Sequence, residues 1–126
     1  MIRNLWFAIN GILYLLLGLV FFFGFETISG NLGFKLNSGS AAIELVTVFG
    51  GLELALGLLF IYVLFDRRLT GFAIRMLIFT YTAFAFGRLI GIIQYEVTDE
   101  LTYYLLGIEL SGSIISWTLF LKGSER

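Results

Sequence analysis

Away from the ends where Lys and Arg cluster, four ionisable side chains lie within or just inside apolar segments: Glu44, Glu53, Arg88 and Glu109. Arg88 is the most exacting of them. It lies inside the run AFAFGRLIGII, residues 83–93, with no other charge in it. A charged residue at the centre of a membrane helix costs about 2.5–3.5 kcal/mol on insertion scales, so it faces protein or a polar cavity and pairs. Two carboxylates are eligible partners. Glu109 is the expected one, and Glu53 is the second within reach of a long arginine. Such a pair can fix the register of two helices. It can equally form the floor of a polar pocket, with Arg88 gripping an anionic group. Tyr81 and Ser113 extend the polar set. Tyr81, Arg88 and Tyr95 recur every seven residues, and Thr102, Glu109, Gly112, Ser113 and Ser116 form a polar stripe at helical spacing.

Other chemistry is disfavoured by what the chain lacks. It has no histidine and no cysteine, which removes the commonest general base, thiol nucleophiles, disulfides and the usual metal ligands. Carboxylates beside a single arginine favour charge pairing over metal binding, so no metal and no cofactor is expected. No nucleophile–base pair suggests hydrolysis, and an enzyme is not expected. A net charge of −1 argues against a nucleic-acid partner, since phosphate binding needs a basic face.

The elements that must carry these residues follow from composition. Of 126 residues, 59% are hydrophobic and 13% charged, and mean hydropathy is +0.95. Soluble domains are about 45–50% apolar and about 25% charged, so this reads as an integral membrane protein with lipid as its first partner. Four segments reach the roughly 20 apolar residues a span requires: about 6–25, 41–65, 71–94 and 101–121. The stretches ETISGNLGFKLNSGS, DRRLT and YEVTDE are expected to be the loops between them. The first segment is expected to be a retained helix. Its apolar run exceeds the roughly 7–15 residues of a signal core, and no Ala-x-Ala site follows.

Lys and Arg set orientation. Arg3, Arg67, Arg68, Arg75, Lys122 and Arg126 fall on one side of a four-span chain, and Lys35 alone falls on the other, with Glu26, Glu96, Asp99 and Glu100. Both termini are therefore expected to be cytoplasmic. The expected fold is all-α: one membrane domain over 1–126, an antiparallel four-helix bundle. At about 1.5 Å per residue, Arg88 lies roughly 10 Å and Glu109 about 12 Å from the outer surface, so the two match in depth. Glu44 and Glu53 are nine residues apart, about half a turn out of phase at 100° per residue. Glu53 is then the one for the interior and Glu44 the one for a capping or interface role.

The glycines read as packing surface. Ala83, Gly87 and Gly91 form one small-residue ladder and Gly107 with Ser111 another. Gly50, Gly51 and Gly57 thin the second span beside Glu53. These faces would meet a helix of the same chain, or a second protomer or larger membrane complex.

The segments FGGLELALGLLF, AFAFGRLIGII and LLGIELSGSI resemble, in that order, the small four-helix bacterial membrane proteins grouped as domain-of-unknown-function family 4345. The likeness covers nearly the whole chain. More distantly the second span is similar to DoxX-type proteins. The resemblance implies a four-helix fold in a bacterial inner membrane, with Gly50, Gly51, Glu53, Gly57, Gly87, Arg88 and Glu109 at motif positions. The family pattern commonly has an arginine shortly before the double glycine, where Val46 stands here. Three functional readings result: an accessory or interaction subunit with a structural Arg–Glu cluster; binding or translocation of a small anionic or polar solute near the outer leaflet; and a DoxX-like, quinone-linked redox accessory subunit.

Overall fold

The computed structural model describes residues 1–31, 38–96 and 99–124. They are helical, with no strand among them. The helices are α1 (Ile2–Phe23), α2 (Phe25–Asn31), α3 (Gly39–Leu45), α4 (Leu52–Val63), α5 (Thr70–Tyr95) and α6 (Glu100–Ser124). A π-helical segment, Val46–Gly51, joins α3 to α4, and one 3₁₀ turn, Arg67–Leu69, precedes α5. Four stretches are long and apolar enough to cross a membrane: Ile2–Phe23, Gly39–Val63, Arg67–Tyr95 and Glu100–Gly123.

Three features differ from the sequence reading. Residues 26–31, expected as loop, are helical in α2. Gly24 ends α1 and its N–H still donates to the Val20 carbonyl at 2.8 Å, so only a brief break separates the two helices. α1 also begins four residues before the apolar run does, because Arg3 and Asn4 cost an exposed helix end little. The π segment breaks the half-turn arithmetic between Glu44 and Glu53, since a π turn is wider than an α turn. Lys35 and Arg126 lie outside the described residues.

Helix ends are closed by local chemistry. Ser38 caps α3, its hydroxyl accepting from the Ala41 N–H at 3.3 Å. Glu96 ends α5 in the left-handed region, φ 49°, the conformation a helix C-terminus commonly adopts. Asp99 caps α6.

The chain forms two compact units, Met1–Arg67 and Arg68–Arg126. In the first, α1 packs on α4 through small residues. A Cβ built on Gly57 would lie 2.6 Å from the Leu15 backbone N, and one on Gly18 would lie 2.8 Å from the Leu54 backbone N. One on Gly11 would meet Ile61. Contacts thus run Gly11 to Ile61, Leu15 to Gly57, Gly18 to Leu54, so positions rise on α1 as they fall on α4. Aromatic rings fill the gaps beside the glycines. Phe60 stacks on Phe7 with centroids 6.4 Å apart and touches Tyr14 at 5.7 Å, and Phe21 stacks on Phe49 at 5.5 Å. Asn10 is fully buried and its amide donates to the Trp6 carbonyl at 2.8 Å.

In the second unit, α5 buries Ala73, Ile74, Leu77, Ile78, Tyr81 and Ala85, spaced three and four apart as one helix face must be. α6 buries Glu109, Gly112, Ser116 and Leu119.

Candidate functional site

The second unit carries a polar seam between α5 and α6. Arg88 donates twice to Glu109: Nε to Oε2 at 2.8 Å and one terminal nitrogen to Oε1 at 2.6 Å. Two parallel N–H···O bonds match the guanidinium fork to a carboxylate, the strongest geometry such a pair has. Glu109 keeps 8% of its side-chain exposure and Arg88 keeps 28%, so the acid is the more deeply placed partner. About 10 Å further along α5 from Arg88, the Thr82 and Ser113 hydroxyls are hydrogen-bonded at 2.9 Å. Next to them Tyr81 lies on Gly112. A Cβ there would come within 2.6 Å of the Tyr81 ring, so the absent side chain of Gly112 is the space the ring occupies. The contacts fall in line along the two helices: Tyr81 with Gly112 and Thr82 with Ser113, then Arg88 with Glu109, so positions rise on α5 as they fall on α6.

The residues expected to form a polar cluster are therefore divided. Arg88 and Glu109 meet directly. Tyr81 and Ser113 sit on the same helix pair, each against a different partner. Glu53 belongs to the other unit, in the first turn of α4. Its Oε2 is buried with no hydrogen-bond partner among the described residues. Glu44 is exposed in α3, and the cap of that helix is Ser38. Thr102, read as part of the polar stripe, serves the start of α6 instead. Its N–H donates to Asp99 Oδ1 at 3.0 Å and its hydroxyl to Oδ2 at 2.6 Å. Those two bonds hold the Asp99 carboxyl below the usual carboxylate range, with a smaller contribution from the Arg88 charge. Ser111 is occupied by its own helix, donating to the Gly107 and Ile108 carbonyls at 2.8 and 2.9 Å.

The glycines divide as well. Gly50 and Gly57 are in close contact, with Phe22 and Leu15 respectively. A Cβ on Gly51, Gly87, Gly91 or Gly107 meets nothing within 4 Å, and Ala83 is exposed. Close approach rests also on Gly11, Gly18 and Gly112, which the ladder pattern passed over. Thr82 was also missed. The depth matching that paired Arg88 with Glu109 would have paired it with Ser113.

An open, apolar depression lies along α4 and its C-terminal turn, lined by Ala55, Leu58, Tyr62 and Phe65 among others. It holds no charged group. Among the described residues, no group of three or more Asp or Glu is placed to hold a metal ion.

No curated protein and no solved structure matches the chain. A family model does, described as a domain of unknown function (DUF4345), over residues 2–120. With nearly the whole chain inside that match, this protein belongs to the DUF4345 family.

Proposed function

We propose that this chain is a small accessory or interaction subunit of a bacterial inner membrane, an antiparallel four-helix bundle with both termini cytoplasmic, in which Arg88–Glu109 pins α5 against α6. The observation that carries the reading is the closed, two-bond pair. An arginine gripping a solute uses the forked edge of its guanidinium, and here one such edge and two of the five N–H donors are spent on Glu109. The contacts beside it, Tyr81 on Gly112 and Thr82 with Ser113, support a packed seam rather than an opening. The outward-facing side chains support membrane residence. Phe79, Phe86 and Ile114 are each about two-thirds exposed, a surface that in water would drive association and in lipid costs nothing.

The test is a charge cycle read by thermal unfolding in detergent. Arg88→Ala and Glu109→Ala should each lower stability well beyond Arg67→Ala or Arg68→Ala, which alter exposed residues. Breaking a fully buried pair costs about 3–5 kcal/mol, and the 28% exposure of Arg88 places its loss toward or below the lower end of that range. The reversed pair, Arg88→Glu with Glu109→Arg, should recover part of what either reversal loses alone. Equal melting temperatures for Arg88→Ala, Arg67→Ala and Arg68→Ala would overturn the pinning role. A stable Arg88→Ala protein that loses anion uptake in vesicles would favour the solute-binding reading.

A further inference from the structure

At the end of the α5–α6 unit away from Asp99, one cation lies over an aromatic ring and, among the described residues, not against an acid. The Arg75 guanidinium lies 5.6 Å from the Phe120 ring centroid, inside the roughly 6 Å range of a cation–π contact. Phe120 in turn meets Trp117 edge-on, centroids 6.0 Å apart at 86°. Arg75 is exposed, and Trp117 is 48% exposed. Among the described residues Arg75 has no carboxylate partner. A cation–π contact supplies no acceptor oxygen, so the guanidinium N–H donors remain for one. The described carboxylates of this unit are Glu96, Asp99, Glu100 and Glu109. The nearest in sequence to Lys122, Glu109, is about 20 Å away along α6. Lys122, in the last turn of α6, adds a second exposed cation at the same end. Arg75 lies about 8 Å inside the start of α5, a depth from which an arginine extends its head to the membrane surface and at which tryptophan settles among headgroups.

We propose that Arg75, Trp117 and Phe120, with Lys122 nearby, form a binding surface for the headgroup of an anionic phospholipid. The guanidinium takes the phosphate oxygens, the Trp117 ring packs on the glycerol and upper acyl region, and Phe120 holds the arginine in place. This rests on the membrane-spanning reading above.

The experiment uses the full chain with Trp6→Phe, which leaves Trp117 as the sole tryptophan. It is reconstituted in vesicles mixing phosphatidylcholine with phosphatidylglycerol, either lipid carrying brominated chains that quench indole fluorescence. Brominated phosphatidylglycerol should compete for the Trp117 site about fivefold better than brominated phosphatidylcholine, the scale of one cation at an anionic surface. Added salt should reduce that preference, since it screens exposed charges. Arg75→Gln should remove most of the preference, leaving what Lys122 supplies, and Arg75→Lys should retain more of it, which separates loss of charge from loss of fold. Equal quenching by both lipids in the parent, or an unchanged preference in Arg75→Gln, overturns the proposal while leaving the spanning reading intact. No quenching by either lipid overturns both.

Discussion

Asp99 shows how much a single side chain can do at a helix end. Its two carboxylate oxygens take both donors of Thr102, supplying a partner to a first-turn N–H that the helix itself leaves open. The charged form of Asp99 is what the native state prefers, so its pKa is depressed on folding. The sign follows from that. The stabilisation is complete above the unfolded carboxyl pKa of about 3.9 and is lost as pH falls through the lower native value. The protection factor of the Thr102 amide, its exchange relative to the intrinsic rate at each pH, should therefore hold from pH 6 to about pH 4 and fall below it. Asp99→Ala should show little protection at every pH, and Asp99→Asn should remove the pH dependence of the protection factor while keeping part of the protection. A Thr102 amide equally protected in Asp99→Ala would refute the cap. Arg88 and Glu109 were legible at this same scale. Each is a charge with a depth, and a short connection between their helices leaves few ways for the depths to match. Asp99 was not legible as a cap, because a run of polar residues before a helix offers several eligible oxygens.

At the scale of elements, the informative residues are the ones without side chains. On α1 and α4 the backbones approach so closely that a methyl group on Gly57 would strike main-chain atoms of α1. Backbone cannot swing aside as a flexible side chain can, so Gly57→Ala should lower stability by about 1–3 kcal/mol, the usual cost of overpacking. Gly87→Ala and Gly107→Ala meet open space and should be neutral or stabilising by up to about 1 kcal/mol, from helix propensity. Detergent melts of the three variants decide it, and a Gly57→Ala protein as stable as the parent would contradict the close approach. Sequence spacing found small-residue ladders on α5 without saying which way they face. The reason is physical: α5 and α6 carry apolar residues nearly all round, so no amphipathic face marks the inside. The spans themselves were legible because length and hydrophobicity suffice to define them. The short helix α2 was not, since Gly, Ser and Asn in that stretch read equally well as loop.

For the whole molecule, charge and hydrophobicity act together. On the proposed four-span topology Arg3, Arg67, Arg68, Arg75 and Lys122 fall near one set of helix ends, the bias expected of cytoplasmic ends. A C-terminal reporter fusion should accordingly be active only as a cytoplasmic marker, and an externally active one would overturn the four-span topology. The π-helical segment Val46–Gly51 has a consequence for how this chain can change. A π turn accommodates one residue more than the α-helix around it needs. Removing a single residue there would let α3 and α4 run on as one continuous helix, turning Gly39–Leu45 by about 100° about its axis while leaving the Gly57 contact with α1 where it is. The segment is therefore a slack point in chain length. Glu53 and the Gly57 contact lie on one side of it, Glu44 on the other and Gly50 within it, and a one-residue deletion or insertion would re-aim Glu44 without disturbing Glu53.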